Sequence, residues 1–422
     1  MSRATLILLS LVAGLLAGVG AAALSPSVAQ GSLAVAGPIG SAWLAGLQMT
    51  VIPLVVALLV TAVADTAQAA GAGRVTARMI VLILLLVFVT GTVSALATPL
   101  LLDLFPVPAD AAASLRRALG GAEAVTPPPP LSEFFSTIVP TNVFRAAVDN
   151  ALLSLIIFTL AFAFAVTRIE PGARALLVRA FAAIRDAMLV LIDWVLWLAP
   201  IGVFALAYGV GARAGVTAFG ALVHYILIVS AIGAVIMLLA YPIAWIGGRT
   251  SPLRFARALA PAQAVAISTQ SSLASLPAML AGARTLGIAE AKAGVALPLA
   301  VAMFRATQPA MNVAIAVYIA RWFGYPVAPG ALAAAVLTGA LVSLGSISLP
   351  AQISFFASVA PVCVALGVPI EPLGLLIAVE TFPDIFRTLG NVSMDLAATT
   401  VVSAHTAEYE ANSDAVSRSE QA

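Results

Sequence analysis

Five residues near the end of the chain could do chemistry together. Glu380, Asp384, Arg387, Asn391 and Asp395 follow one another at intervals of 4, 3, 4 and 4 inside an otherwise apolar stretch, residues 371–405. At roughly 100° per residue they share a helical stripe about 80° wide. Arginine presents a planar fork that matches a carboxylate, and a carboxylate suits an ammonium group. Arg387 with Asp384 therefore reads as a pair for a zwitterion that carries an additional acidic group. Pairing with each other at i,i+3 is the plainer alternative, but two residues would suffice for that and five are present. Asn391 and Asp395 are hard oxygen donors one turn apart. They could hold a cation such as Na⁺ or pass a proton, or form a hydrogen-bonded structural pair.

Other polar groups stand in apolar surroundings. Arg305 lies mid-way along the apolar stretch 294–320, in PLAVAMFRATQPAMN. A buried arginine needs an anionic partner, and Asp384, Asp395 and Glu380 are the candidates. Gln308 falls on the same helical face, and Pro309 is expected to kink or unwind the helix nearby. Ser271, Ser272 and Ser275, in STQSSLASLP, offer hydroxyls and a helix N-terminus to an anionic group; loose small-residue packing is the bland alternative. Asp149, Asp193 and Trp194 read as loop-end or interfacial groups. A lone Cys363 excludes a disulfide framework and a cysteine metal site, and His224 and His405 are too few for a multi-histidine centre.

The elements that must position these groups follow from composition. The 422 residues are 62% hydrophobic and 9% charged, with a mean hydropathy of +1.09. That is an all-α integral membrane protein, since apolar runs of about 20 residues recur throughout. The expected runs are residues 4–24 (kept as a span rather than a cleaved signal peptide), 40–64, 79–101, 141–167, 187–210 and 219–246. Residues 103–135, with a PPPP tract, form a polar loop. Arginines gather after the second, fourth and sixth runs, which places those loops, the N-terminus and the polar tail in the cytoplasm.

Beyond residue 250 the pattern changes. Residues 258–283 are broken by STQSSLASLP, with charges on both flanks, and read as a re-entrant helical hairpin with its tip at 271–277. Residues 331–366 are broken by SLGSISLPAQIS and read as a second hairpin. Two broken segments, each preceding a span with buried polar groups, indicate an inverted-repeat transporter. The expected fold is eight transmembrane helices plus two re-entrant hairpins.

These residues resemble a known family. DIFRTLGNVSMD (384–395) is similar to the last-helix motif of the dicarboxylate/amino acid:cation symporters, the glutamate transporter family. STQSSLASLP resembles its first hairpin tip, and LQMTVIPLVV, PTNVFRAAVDNALLSLIIF and APIGVFAL resemble its second, fourth and fifth helices. The resemblance covers almost the whole chain. It implies an elevator-type homotrimer in a bacterial inner membrane. The scaffold would comprise residues 1–70 and 136–215. The mobile transport domain would comprise residues 71–135 and 216–405, followed by a disordered tail, 406–422. It further implies that Arg387 holds the side-chain carboxylate of aspartate or glutamate and that Asp384 takes the α-amino group. Thr388, Asn391 and backbone near Ser272 and Leu349 would complete the pocket, with Asn391 and Asp395 as a cation site. The expected partners are a small anionic substrate and lipid, with no nucleic acid and no cofactor beyond a coupling ion, H⁺ or Na⁺.

The departures from the family pattern carry their own expectation. The family's Asn-Met-Asp-Gly-Thr falls on Phe304, Arg305, Ala306, Thr307 and Gln308, so apolar side chains replace both of its cation ligands. The third-helix tyrosine, threonine and serine of a further sodium site fall on Ile83, Leu86 and Val87. Arg305 stands where sodium is bound in the family. Reduced or lost sodium coupling is therefore expected, with proton coupling or exchange in its place, and a dicarboxylate or cystine is the alternative substrate. A serine hydrolase would need a histidine base near Ser271 or Ser272 and a nucleophile elbow, neither of which is present. A channel would need a continuous polar lining rather than one patch.

Overall fold

The computed structural model describes residues 3–70, 74–108, 113, 139–149, 152–215, 217–345 and 351–420, and among these all regular structure is helical. Leu349, the tip of the second hairpin and the PPPP tract lie outside the described residues.

The first half of the chain supplies one group of helices. These are α1 (Arg3–Leu24), α2 (Pro26–Gln48), α3 (Val51–Ala70), the short α5 (Val143–Val148), α6 (Leu152–Val166), α7 (Pro171–Trp197) and α8 (Ala199–Ala214). The second apolar run begins earlier than its hydropathy suggests: α2 starts at Pro26, with Ser25 accepting a hydrogen bond from the Val28 N–H at 3.3 Å. The fifth run is also longer. The arginine-rich segment 171–186, expected as a loop, is the first half of α7. Glu170 caps that helix by accepting from the Gly172 and Ala173 N–H groups at 2.8 and 2.9 Å. At Leu198 the path bends by 59° into α8.

α1 and α8 pack backbone to backbone. A Cβ on Gly18 would stand 2.2 Å from the Tyr208 carbonyl oxygen, and one on Gly211 would stand 2.3 Å from that of Leu15. Small residues permit this approach where lipid removes the hydrophobic drive for helix association.

The remaining helices are α4 (Arg74–Leu104), α9 (Thr217–Pro242, continued by a π turn at Ile243–Gly247), α10 (Pro252–Thr269), α11 (Ser272–Thr285), α12 (Glu290–Met303), α13 (Thr307–Phe323), α14 (Pro329–Gly345), α15 (Ala351–Leu366), α16 (Leu373–Leu376) and α17 (Thr381–Glu420). α10 packs on α11 and α14 on α15, so both broken segments fold back on themselves. The first turn-round is tighter than expected. Gln270 takes a left-handed conformation (φ 50°) and Ser271 caps α11, so residues 272–277 are already helical.

α13 and α17 form the core of this group. Every residue of α13 is buried except Arg321, and so is every residue from Arg387 to Thr400. α4 runs along α13, where the Ser94 hydroxyl donates to the Ala310 carbonyl at 2.6 Å. α9 runs along α17, and α14 and α15 reach across to α3. Among the described residues four helices are long and apolar enough to cross a membrane, or five if the bent α7–α8 pair is one span.

Candidate functional site

Two helical stretches of the core are interrupted. The stretch 294–320 is not one span: α12 ends at Met303, Phe304 is extended (φ −97°, ψ 103°), and α13 restarts at Thr307. Pro309 sits in the first turn of α13, where no backbone donor is required. The charged stretch is broken too. α16 stops at Leu376, residues 377–380 form turns, and the Glu380 carbonyl accepts the Asp384 N–H at 2.9 Å. Glu380 therefore stands at the cap of α17 rather than on its helical stripe, and its side chain is free to turn back toward Arg387.

Arg387 is the hub. Its Nη2 donates to Glu380 Oε1 at 2.5 Å, its Nε approaches Asp384 Oδ1 at 3.4 Å, and its Nη1 donates to Asn312 Oδ1 at 3.4 Å. The second Glu380 oxygen accepts from the Tyr225 hydroxyl at 3.0 Å. The Asn312 amide nitrogen donates to the Ser358 carbonyl at 3.1 Å, which ties the hub to α15. Glu380 and Asn312 are fully buried, and Asp384 and Arg387 nearly so. Buried charges persist only when paired and hydrogen-bonded, and this hub meets that condition from α9, α13 and α17.

One turn on, Asn391 joins α17 to the broken end of α13. Its side-chain oxygen accepts from the Thr307 N–H at 3.0 Å and from the Thr307 hydroxyl at 2.8 Å. That hydroxyl also lies 2.9 Å from the Arg387 carbonyl. Gly390 makes the approach possible, since a Cβ there would stand 2.3 Å from Thr307 Cγ2. Thr388 spends its hydroxyl on its own helix, donating to the Asp384 carbonyl at 3.0 Å. Asp395 is different: it is fully buried, and among the described residues neither carboxylate oxygen has a hydrogen-bond partner. The charge that acts on it is Arg305, which lies in the break and is also within electrostatic reach of Asp384. Counted as ionised, Glu380, Asp384 and Asp395 against Arg305 and Arg387 leave the buried group at −1.

The structure thus brings together Asp384, Arg387, Thr388, Asn391, Asp395 and Arg305, with Gln308 buried on the first turn of α13. Ser271 caps α11 through the Ala274 N–H at 3.2 Å, Ser275 donates to the Ser271 carbonyl, and Ser272 opens the helix. The link from this tip to α17 is made by Gln270, whose amide donates to the Thr381 carbonyl at 3.3 Å. Leu349 is outside the described residues. Tyr225, Thr307 and Asn312 complete the site without a strong sequence signal; the one clue was that Asn312 lies four residues after Gln308, on the same face. A cleft of about 1060 Å³ opens elsewhere, lined by residues that include Asp65, Arg168 and Arg174, and no residue of the charged hub lines it.

The profile of the Sodium:dicarboxylate symporter family matches residues 4–405. The chain is 28% identical over 435 residues to Neutral amino acid transporter B(0) of Oryctolagus cuniculus, and equally to that of Homo sapiens; each comparison covers 93% of this chain and 79% of the relative. It is 26% identical over 279 residues to the Proton/sodium-glutamate symport protein of Bacillus subtilis (strain 168), covering 65% of this chain and 63% of that one.

Proposed function

The chain belongs to the sodium:dicarboxylate symporter family, and from that premise we propose that it carries acidic amino acids, aspartate or glutamate, with sodium coupling reduced or lost and a proton in its place. The observation that carries the reading is the buried Asp384–Arg387 pair, 3.4 Å apart beside the break between α12 and α13. It sets a fixed anion and a fixed cation where an ammonium and a carboxylate could both be met.

The reading of the coupling ion rests on Arg305 and Asp395. A guanidinium already acts on the carboxylate that a sodium ion would need, and the Asn391 oxygen is engaged twice by Thr307. A fixed cation in place of a bound one makes sodium redundant.

The division of the helices into two groups supports an elevator in which α4 and α9 to α17 move against a scaffold of α1 to α3 and α5 to α8. The resemblance adds a homotrimer, and the arginine pattern adds a cytoplasmic N-terminus in an inner membrane.

A second reading has its own support. Arg387 is already met by Glu380 and Asp384, which would suit a neutral amino acid that asks nothing of the guanidinium. A thermal-stabilisation screen of the detergent-solubilised protein with aspartate, glutamate, alanine, serine, cystine, succinate and malate separates the readings. Aspartate or glutamate should stabilise with or without sodium. Stabilisation by alanine or serine alone moves the assignment to the second reading, and a strict need for sodium refutes the coupling.

A further inference from the structure

We propose that Glu380 is the proton-accepting gate on Arg387, and that a substrate carboxylate reaches the guanidinium only after Glu380 has taken up a proton. The inference rests on the reading above, that the solute carries a carboxylate to Arg387.

The geometry sets up a competition. Arg387 has one fork, and its Nη2 is held by Glu380 Oε1 at 2.5 Å while Nη1 is held by Asn312. A carboxylate arriving from outside must take the place of one already there. Asp384 is the wider contact, at 3.4 Å, and lies one turn into α17. Glu380 is the closer one, and it stands on the turn before the helix, where a side chain can swing without moving α17.

The charge count gives the same direction. With all five groups ionised the buried set stands at −1, and a net-anionic amino acid would take it to −2 in surroundings that tolerate little unpaired charge. A proton on Glu380 restores the balance. The carboxylate becomes a neutral acid, its ion pair with Arg387 breaks, and the guanidinium closes on the substrate carboxylate. When the solute leaves, Glu380 returns the proton to the water on that side and closes again on Arg387. One proton moves per substrate molecule carried.

The groups facing Glu380 fit this role. Tyr225 from α9 donates to Oε2 at 3.0 Å, and Tyr318 from α13 packs edge-on against the Tyr225 ring. Arg387 and Asp384 face it from α17, and Arg305 and Asp395 lie beyond Asp384. Tyr225 keeps a hydrogen-bond partner on Glu380 in both protonation states, as a hydroxyl both donates and accepts.

The test compares wild type with Glu380→Gln and Tyr225→Phe. Aspartate binding is read by calorimetry in detergent from mildly acid to neutral pH, and substrate-driven proton entry by a pH dye trapped in proteoliposomes. Wild-type affinity should rise by about tenfold per unit fall in pH over the range in which Glu380 is ionised, as linkage of one proton to one ligand requires. Glu380→Gln should bind aspartate with no pH dependence and exchange it without a dye signal. Tyr225→Phe, which removes a donor that favours the carboxylate, should keep the dependence and shift it to higher pH.

Glu380→Gln with the wild-type pH slope, or folded and without aspartate binding at any pH, overturns the gate. Wild-type aspartate binding with no pH dependence overturns the gate alone. A wild type that binds no acidic amino acid at any pH overturns both the gate and the reading beneath it.

Discussion

Thr307 and Asn391 meet at a single atom: the Asn391 side-chain oxygen accepts both the backbone N–H and the hydroxyl of Thr307, at 3.0 and 2.8 Å. The helix that restarts after the break is thereby capped by a residue 84 positions away. Thr307→Val keeps the shape of the side chain and removes its hydroxyl. It should cost roughly 1–2 kcal/mol, the worth of a buried hydrogen bond plus a partner left half-satisfied, and appear as a lower melting temperature in detergent. An unchanged melting temperature would show that the hydroxyl contributes nothing to the joint.

Gly390 faces the same threonine. With the added methyl 2.3 Å from Thr307 Cγ2 and the next atoms at 3.4 and 3.5 Å, one methyl group makes the clash. Gly390→Ala should destabilise by about 1–3 kcal/mol through overpacking. Thr307→Ser deletes Cγ2 but keeps the hydroxyl, so the double variant Gly390→Ala/Thr307→Ser should recover most of the loss. A double variant as unstable as the sum of the singles contradicts this contact.

Arg387→Lys keeps the charge and loses the fork. A lysine cannot address Glu380, Asp384 and Asn312 through three directed nitrogens. Aspartate affinity measured by calorimetry should fall more than about tenfold, the scale of one charge-assisted hydrogen bond, in a protein that still folds. Wild-type affinity in the lysine variant removes Arg387 from the binding site.

Removing Arg305 should bring back a need for sodium. Arg305→Met leaves Asp395 buried beside no positive charge, a defect of about 3–5 kcal/mol when one partner of a buried pair is lost. Melting curves with and without sodium should coincide for wild type and separate for Arg305→Met, with sodium raising the variant's transition. Adding Asp395→Asn to it should remove both the defect and the sodium effect. A wild type stabilised by sodium as strongly as Arg305→Met contradicts the substitution of ion by guanidinium.

At the polar start of α7, pH should report on a cap. The Gly172 and Ala173 N–H groups hold the Glu170 carboxyl below the usual glutamate range. A depressed value in the folded state gives a stabilisation that is complete above the ordinary glutamate range and lost as pH falls through the depressed one. Glu170→Ala should therefore raise hydrogen exchange in the first turn of α7 at neutral pH, and the difference from wild type should close in acid. A difference that persists in acid points to another origin.

Much of the site was legible because spacing on a helix is rigid. Asp384, Arg387, Asn391 and Asp395 share a face by arithmetic alone, and all four are buried on α17. Glu380 matched the same arithmetic for the wrong reason: the helix starts one residue later, and a turn rather than a helical register aims its side chain. Arg305 announced itself as a charge in an apolar run, but the break around it is local unwinding that hydropathy does not register. Tyr225 reads as one more aromatic in an apolar span until α9 is laid against α17. The start of α2 and the arginine-bearing half of α7 were missed because helices here outrun the apolar windows that reveal them.

The uneven count of buried charges, two arginines against three carboxylates, has an electrical consequence. If the hub travels across the bilayer, its unloaded form travels as an anion. A voltage difference acts on such a charge with about 2.3 kcal/mol per 100 mV. Loaded with one net-anionic amino acid and one proton on Glu380, the hub carries the same single negative charge, so voltage bears equally on the loaded and the empty crossing and drives no net transport.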